Sequence, residues 1–414
     1  MDELHDRFHR LDRVATPDLW REAVGRAAEL ELAPRRPFNP MLPLIAALLL
    51  MAALAGTIAV GSWVNKPEVD PLSTVYSNGV LAATVGCGGI AAIDPETSQV
   101  TELVTPAADA SCGGTDVSSL AWSADGHWLA YVTAQWSSDE TEAPTTEVRI
   151  RDARDGTERL VQSCTGCTTL DISPDGSLVT YVDGEWEGDL ELVVARTDGS
   201  AVHRVPFVGS PGEPAFSPDG KTIAIPITGG TSGVHVLDVA GLDDGIDPTM
   251  RLLHGPVASS HVSWSPDGQW LAFDKQANGD YSEIWAVRTY GTDARLLAAG
   301  PGPDGPSHPV WSADSSTVAF ISEASGDATE ARALELWTAG LDGETNRIYR
   351  SSCCYWDGRG PITWSPDGEW IAFGIQGPDD AAESGIYLLR PDGSDLHRLS
   401  PFAGQPAWQP IPQD

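Results

Sequence analysis

Three side chains suited to metal chemistry occupy the same position in successive copies of a repeated phrase. Glu213, His261 and His308 each lie three residues before the aromatic residue that opens a Ser-Pro/Ala-Asp segment. Neutral imidazoles and a carboxylate are good ligands for a divalent metal. No lysine or arginine occupies the corresponding positions, so a cationic general base is not evident there. The spacing leaves two interpretations open, a metal site or a set of hydrogen-bonded polar residues.

Six cysteines are the second chemical feature, and all follow an apolar segment at residues 41–65 that predicts export. They are Cys87, Cys112, Cys164, Cys167, Cys353 and Cys354. An oxidising compartment favours disulfides. We predict a Cys87–Cys112 bond, because both residues lie in Gly-rich loops next to the same group of predicted strands. By chain entropy, such a disulfide would stabilise the folded protein by about 3 kcal/mol.

The other four cysteines allow more than one arrangement. Cys164 and Cys167 form either a short-loop disulfide or a redox pair, and no helix is evident that would lower the thiol pKa for the latter. Cys353 and Cys354 form either a vicinal disulfide or bridges to Cys164 and Cys167. A zinc site built from all four is the remaining alternative.

A repeat of 44–53 residues positions these side chains. Each copy has a hydrophobic residue, a Ser-Pro/Ala-Asp-Gly segment (Ser replaces Gly once) and a short apolar strand. The copies begin at Trp122, Ile172, Phe216, Trp264, Trp311 and Trp364. Proline presets φ, aspartate tolerates the next position and glycine accepts positive φ, so the segment predicts a hairpin turn. A second turn, as in Thr197-Asp198-Gly199-Ser200, completes four antiparallel strands, the unit of a β-propeller blade.

The two ends of the repeat region predict how the ring closes. Residues 79–104 look like strands two to four of a blade without its first strand, and residues 405–410 look like a first strand alone. Pairing them would complete one composite blade and cover both open sheet edges. The prediction is an all-β fold, a seven-bladed β-propeller over residues 79–410, with a six-bladed ring as the alternative.

The repeat resembles the WD40-like propeller repeat of the TolB family. The segments 264–268 and 364–368, each Trp-Ser-Pro-Asp-Gly and followed by Leu/Ile-Ala-Phe, carry the resemblance most closely. It implies the fold and says little about function, since periplasmic scaffolds, propellers attached to serine peptidases and some polysaccharide lyases share the repeat. The Gly-x-Ser-x-Gly elbow of the peptidases is absent from the sequence. Some TolB-like lyases hold a channel metal with His and Gln, a set similar to the one proposed above.

An apolar segment precedes the repeat and predicts a membrane anchor. Residues 41–65 contain no charged side chain, and as a helix residues 42–64 would span roughly 34 Å, against about 30 Å for a bilayer core. Arg35 and Arg36 precede it, which favours a cytoplasmic N-terminus. We predict a transmembrane helix at 41–64, a cytoplasmic tail at 1–40 with a short amphipathic helix, and a linker at 65–78. A cleaved signal peptide is the alternative.

Charge and loop composition narrow the class of partner. The formal net charge is −34, and the residues after 65 carry 18 basic and 51 acidic groups, which disfavours nucleic-acid binding. The loops opposite the Ser-Pro-Asp-Gly turns are long and varied, and we call that side of the ring the variable face and the other side the turn face. Binding candidates on the variable face are Trp136, Trp186, Asp280, Tyr281, Tyr355 and Trp356. Acidic and aromatic residues together suit a polar ligand, a sugar or a basic partner.

These observations predict a non-catalytic scaffold or sensor of the cell envelope. Its extracytoplasmic propeller would bind a protein or a glycan, and its tail helix would contact a cytoplasmic regulatory protein. No cofactor is expected. The alternative function is a metal-dependent carbohydrate-active enzyme that holds a divalent metal at Glu213, His261 and His308.

Overall fold

The computed structural model describes residues 76–85, 88–105, 115–136, 144–184, 190–242, 248–277, 281–301, 305–324, 333–351, 362–375, 384–401 and 404–413. Within these ranges, no helix combines the length and the apolar character needed to cross a membrane. The predicted tail, the predicted membrane helix and most of the predicted linker lie outside the described residues, so they stay predictions. The strand that begins at Tyr76 includes the last three residues assigned to the linker.

The described residues form 29 strands in seven antiparallel sheets arranged as propeller blades. In chain order they are β1 (Tyr76–Val85), β2 (Gly89–Ile93), β3 (Val100–Val104), β4 (Thr115–Trp122), β5 (Trp128–Gln135), β6 (Thr145–Asp152), β7 (Glu158–Cys164), β8 (Thr168–Ile172), β9 (Leu178–Asp183), β10 (Glu191–Arg196), β11 (Val202–Pro206), β12 (Ser210–Pro211), β13 (Ala215–Phe216), β14 (Thr222–Thr228), β15 (Gly233–Asp238), β16 (Met250–His254), β17 (Val262–Trp264), β18 (Trp270–Ala277), β19 (Tyr281–Arg288), β20 (Arg295–Pro301), β21 (Ser307–Trp311), β22 (Thr317–Ala324), β23 (Ala333–Gly340), β24 (Thr345–Arg350), β25 (Thr363–Trp364), β26 (Ile371–Ile375), β27 (Gly385–Leu389), β28 (His397–Ser400) and β29 (Pro406–Pro412).

The blades follow the chain in order. Blades 1 and 2 are β4–β7 and β8–β11, and blade 3 is β12–β16, in which a first strand interrupted by Pro214 appears as two short pieces. Blades 4, 5 and 6 are β17–β20, β21–β24 and β25–β28. The closing blade has the order β29-β1-β2-β3, with the C-terminal strand innermost. The seven-bladed prediction is confirmed, and the six-bladed alternative is wrong because β29 completes a full sheet.

Side-chain hydrogen bonds on both sides secure the closing blade. β29 pairs with β1 through Leu81 opposite Trp408. Asn78 Nδ2 donates to Asp367 Oδ2 at 2.8 Å, which joins β1 to the turn of blade 6. Gln409 Nε2 donates to the Gly126 carbonyl at 2.7 Å, which joins β29 to the turn of blade 1. Ends that are remote in sequence are therefore tied into one ring, and neither end of the sheet region stays an open edge.

The repeated phrase acts as a turn in all six copies. In each copy the serine Oγ donates to the aspartate Oδ1 at 2.5–2.7 Å, for example between Ser265 and Asp267. The same serine Oγ accepts the N–H of the residue that starts the second strand, as in Trp270. The glycine that follows has positive φ, and Ser315 takes φ 60° where glycine is replaced. The phrase is structural, because its polar atoms are consumed by the turn itself.

Candidate functional site: the central channel

The first strands of the blades line the central channel. A cavity of about 490 Å³ runs along the closing blade and blades 1 to 5. Its wall includes four residues that lie three positions before Trp122, Ile172, Phe216 or Trp408 in a first strand, namely Ser119, Thr169, Glu213 and Gln405. Asp171 and Glu213 are the charged side chains of the wall, and neither lysine nor arginine lines it within the described residues. The channel wall is therefore acidic.

His261 and Asp274 form a buried pair in blade 4. The imidazole Nδ1 lies 2.6 Å from Asp274 Oδ2, and the two side chains are 19% and 11% exposed. Asp274 Oδ1 also accepts the N–H groups of Ser260 at 2.8 Å and His261 at 3.0 Å. Burial alone would raise the pKa of Asp274, but the His261 contact and these N–H donors lower it to about 2. The carboxylate therefore stays ionised and holds one nitrogen of His261.

The pKa values of His261 and His308 move in opposite directions. Burial would lower the pKa of His261, but the hydrogen bond and charge of Asp274, with the charge of Glu213, raise it. Burial and the adjacent His261 lower the pKa of His308 well below its usual range. The two ring centroids lie 3.4 Å apart at an interplanar angle of 32°. The arrangement favours a charged His261 stacked on a neutral His308.

A β-bulge places His308 in this stack. The pairing of β21 with β22 shifts between Ser307 and Val310, and His308 has φ 54°. Positive φ is unfavourable for a residue other than glycine and recurs at functional sites. Thr169 has φ 26° at the equivalent position of blade 2, where β8 shows the same shift. Bulges thus change the direction of first-strand side chains at these two positions.

The geometry does not bring the three predicted metal ligands to one point. Each imidazole lone pair lies in its ring plane, and the two rings, stacked 3.4 Å apart at 32°, lie in nearly parallel planes. A metal bound by both at about 2.0–2.1 Å needs lone pairs that converge. Among the described residues, the group of three possible ligands within 4.8 Å of one another is Cys164, Cys167 and Asp183. Metal binding at Glu213, His261 and His308 would require one imidazole to turn.

Asp171 is a channel carboxylate that sequence reasoning missed. Its Oδ2 accepts the N–H of Phe216 at 2.7 Å, and its Oδ1 accepts the N–H of Ile172 at 2.8 Å. Burial raises the pKa of Asp171 to about 7, against these donors, and the charge of Glu213 adds to the rise. The carboxyl group therefore joins blade 2 to blade 3 and titrates near neutral pH. Asp274 was missed as well, although a charged residue directly after the apolar run 270–273 was an available signal.

The Cys164–Cys167 disulfide is confirmed, and it closes the link from blade 1 to blade 2. Asp183 Oδ1 accepts the N–H groups of Thr165 at 3.1 Å and Gly166 at 3.4 Å, so the loop inside the disulfide is held to β9. This pairing is incompatible with bridges from these two residues to Cys353 and Cys354. Cys87, Cys112, Cys353 and Cys354 lie outside the described residues, so their pairing stays a prediction.

Two of the six binding candidates can be placed. Trp136 and Tyr281 are each 55% exposed, at the second-to-third strand hairpins of blades 1 and 4. Large aromatic side chains so exposed on a loop are suited to binding. Trp186, Asp280, Tyr355 and Trp356 lie outside the described residues. The variable face therefore carries at least two accessible aromatic residues.

Comparison with known proteins identifies the family. The model of the TolB beta propeller domain matches residues 126–412, which is more than half of the chain. An uncharacterised protein of Agrobacterium fabrum is 27% identical over 132 residues, which cover 30% of this chain and 41% of that protein. The chain thus aligns with less than half the length of that relative.

Solved structures share the fold at low identity. A functionally unknown protein from Desulfotomaculum acetoxidans is 14% identical, with a TM-score of 0.55, over 82% of this chain and all of the other. An oligogalacturonate lyase from Vibrio parahaemolyticus is 15% identical, with a TM-score of 0.50, over 78% of this chain and 86% of the other. Similarity at this level reports architecture and not activity. The repeat, the closed ring and the family match agree, and the chain belongs to the TolB β-propeller family.

Proposed function

We propose that this protein is a non-catalytic binding component of the cell envelope, whose propeller binds a protein or a glycan partner. The observation that supports this most is the acidic channel, in which Asp171 and Glu213 line a cavity of about 490 Å³. Ser119, Thr169 and Gln405 add hydrogen-bonding groups to the same wall. Such a wall suits a basic or hydroxyl-rich segment of a partner.

The net negative charge of the whole propeller also favours a cationic partner. The residues after 65 have a balance of 18 basic to 51 acidic groups, which attracts cationic surfaces over several ångströms and repels anionic ones. Exposed Trp136 and Tyr281 on the variable face offer apolar contact area beside this charge. The partner we propose is therefore a basic protein surface or a neutral glycan, bound at the variable face and the channel mouth.

Membrane attachment is part of the proposal. The uncharged segment at 41–64, with Arg35 and Arg36 before it, would hold the propeller outside the membrane and the tail inside. The predicted tail helix, whose apolar stripe consists of Leu19, Ala23, Ala27 and Leu30, would then contact a cytoplasmic regulatory protein. Accessibility of cysteines placed singly at residues 10 and 75 to a membrane-impermeant thiol reagent tests the orientation. We expect labelling of intact cells at 75 and not at 10.

Partner capture tests the function directly. The full-length protein is cross-linked in cells, and captured partners and cross-linked positions are identified by mass spectrometry. Glu213→Gln should lower the yield of a variable-face partner, and the loss should diminish at high salt. Asp198→Asn is the matched control, because Asp198 is an exposed acid of the turn face. Equal capture by the wild type and by Glu213→Gln would contradict the proposal, and the absence of a reproducible protein partner would favour a glycan partner or the metal-dependent enzyme.

A metal-dependent carbohydrate enzyme is the second candidate function. The observation in its favour is the pair of stacked imidazoles, His261 and His308, the second of which lies at a bulge of β21. The Asp274 contact to His261 Nδ1 resembles the way a carboxylate orients a metal-binding histidine. Elemental analysis of the purified full-length protein distinguishes the candidates. One equivalent of bound metal in the wild type that is absent from His308→Ala would favour the enzyme. A substoichiometric metal content in the wild type would contradict the enzyme function.

A further inference from the structure

One blade position breaks the pattern of the ring. Arg151 on β6 pairs with Leu129 on β5. The same register position holds an apolar residue in the other six blades: Ile93, Ala195, Leu237, Val287, Ala339 and Leu389. Each of those six is at most 1% exposed. A guanidinium where every other blade buries a hydrocarbon is costly to retain, which points to a use for its charge.

Arg151 lines a cavity between blade 1 and the closing blade. The cavity holds about 310 Å³, and three of its lining residues, Asp94, Gln99 and Ala153, lie at third-to-fourth strand turns, which are on the turn face. Asp94, Gln99, Thr101, Trp122 and Gln409 contribute to its lining, with Val80, Ala92 and Leu103 as apolar wall. The lining of this cavity carries one cation and one acid, Arg151 and Asp94, whereas the charged residues that line the central channel are both acidic; Trp122 lines both cavities.

Part of the Arg151 guanidinium is available to a ligand. Nη1 donates to the Gly156 carbonyl at 2.7 Å and to Glu158 Oε1 at 3.3 Å. Nε and Nη2 donate to no residue in the ranges that the structure describes. The Nε–Nη2 edge is one of those with which arginine binds a carboxylate through two parallel hydrogen bonds. The side chain is 20% exposed, so such a contact would be partly desolvated.

A second donor in the same cavity has no partner. Trp122 Nε1 is buried and makes no hydrogen bond to any residue in the described part of the chain. At three other blade junctions the equivalent indole donates to a carbonyl of the preceding blade, as Trp264 does to Ala215 at 3.0 Å. A buried N–H without an acceptor is unfavourable. Because this atom has almost no accessible surface, a small shift of the indole would let a ligand oxygen in the cavity accept its hydrogen bond.

We propose that this cavity binds a small hydroxycarboxylate. The carboxylate would accept hydrogen bonds from the Nε–Nη2 edge of Arg151, and a ligand oxygen would accept from Trp122 Nε1. Asp94 uses Oδ1 for the N–H groups of Glu96 and Thr97, and the Thr97 hydroxyl also interacts with this carboxylate. The second oxygen, Oδ2, is suited to a ligand hydroxyl, and the negative charge of the carboxylate disfavours a second carboxylate on the ligand. The site lies on the face opposite the proposed partner site.

The test uses ¹⁹F NMR of the full-length protein labelled with 5-fluorotryptophan. Trp122→Phe assigns the Trp122 resonance among the 15 tryptophans. Glycerate should move this resonance saturably with a Kd on the order of 1 mM, and glycerol, its uncharged counterpart, should not. Arg151→Leu should weaken glycerate binding at least tenfold. Arg149→Gln is the matched control on the same strand, because Arg149 pairs with Glu147 and does not line the cavity.

The thermal midpoint separates binding from a structural role. Leu237 and Leu389 show that leucine fits this register position, so Arg151→Leu should fold with a midpoint at or above that of the wild type. A midpoint far below the wild type would show that Arg151 is structural. That outcome would overturn the proposal. So would the absence of a saturable shift with glycerate, an equal shift with glycerol, or unchanged glycerate binding in Arg151→Leu.

Discussion

Two parts of the ring satisfy their buried polar groups differently. In blades 4, 5 and 6, the indoles of Trp264, Trp311 and Trp364 donate to carbonyls of the preceding blade at 3.0–3.2 Å. The closing blade and blades 1 and 2 contain every buried side-chain polar atom without a hydrogen-bond partner in the described residues. These atoms are Trp122 Nε1, Tyr131 Oη, Thr169 Oγ1, Tyr181 Oη and Trp408 Nε1.

The same division appears inside the blades. The second strands of blades 4, 5 and 6 bury Phe273, Phe320 and Phe373, whereas blades 1 and 2 place Tyr131 and Tyr181 there. Burial and the nearby Glu158 carboxylate raise the pKa of Tyr131, and within the described residues its hydroxyl has no hydrogen bond of normal length and angle. Blades 4, 5 and 6 therefore pair or avoid buried polar atoms and fill their interior with hydrocarbon. The part around the closure retains polar atoms and a cavity at a cost in stability, which is expected where binding matters.

Removing the buried acid of blade 4 should have the largest effect. Asp274→Ala leaves His261 and several N–H groups without their acceptor, and we expect a loss of about 3–5 kcal/mol in the free energy of unfolding. Denaturant unfolding at pH 5.5 measures it. Asp293→Ala, which breaks an exposed ion pair with Arg295, is the control and should cost about 1 kcal/mol or less. Similar losses in the two variants would mean that the buried contacts of Asp274 stabilise the protein no more than an exposed ion pair does.

The same pair gives a pH dependence with a defined sign. The pKa of His261 is raised in the folded protein, so its contribution is complete below about pH 6.5 and is lost as pH rises through the raised pKa. The pKa of Asp274 is lowered to about 2, so its contribution is complete above about pH 4. The difference in unfolding free energy between the wild type and Asp274→Ala should peak between these values and decrease above pH 7. A difference that increases toward pH 9 would contradict the assigned charges.

Indole removal should separate the two kinds of blade junction. Trp311 and Trp408 are equally buried, at 5% and 6% exposure, but only Trp311 donates a hydrogen bond. Trp311→Phe should therefore destabilise the protein by about 1–2 kcal/mol more than Trp408→Phe, since it also leaves the Ser263 carbonyl unpaired. Urea unfolding of the two variants measures this difference. Equal losses would show that the indole hydrogen bonds do not distinguish the junctions.

Tyrosine replacement should have the smallest effect and the opposite sign. Tyr131→Phe and Tyr181→Phe remove buried hydroxyls without partners, so each should leave stability unchanged or raise it by up to about 1 kcal/mol. Phe273→Tyr is the reciprocal control in blade 4 and should lower stability, because it adds an unsatisfied hydroxyl to a fully buried site. Thermal unfolding compares the three. A loss in Tyr131→Phe similar to that in Phe273→Tyr would mean that the hydroxyl of Tyr131 is satisfied.

Local sequence determined most of the architecture. The Ser-Pro-Asp-Gly phrase specifies its own turn through contacts over two to five residues, so its six copies predicted six blades correctly. The incomplete units at residues 79–104 and 405–410 predicted the closing blade, because an unpaired edge strand needs a partner. The Cys164–Cys167 bond was one of the alternatives open from a spacing of three residues. These features depend on residues that are close in the chain or on a pairing rule that is independent of distance.

Only the tertiary structure decided which polar side chains meet. His261 and His308 are 47 positions apart, and a bulge with positive φ at His308 sets their stack, which the spacing of the repeat does not encode. The two blades joined by Asp171 and the cavity at Arg151 likewise depend on how neighbouring blades pack. The repeat determines where a side chain lies along its strand. Small shifts in register and in blade spacing determine what it contacts, because hydrogen bonds and metal–ligand bonds depend on distances of a few tenths of an ångström.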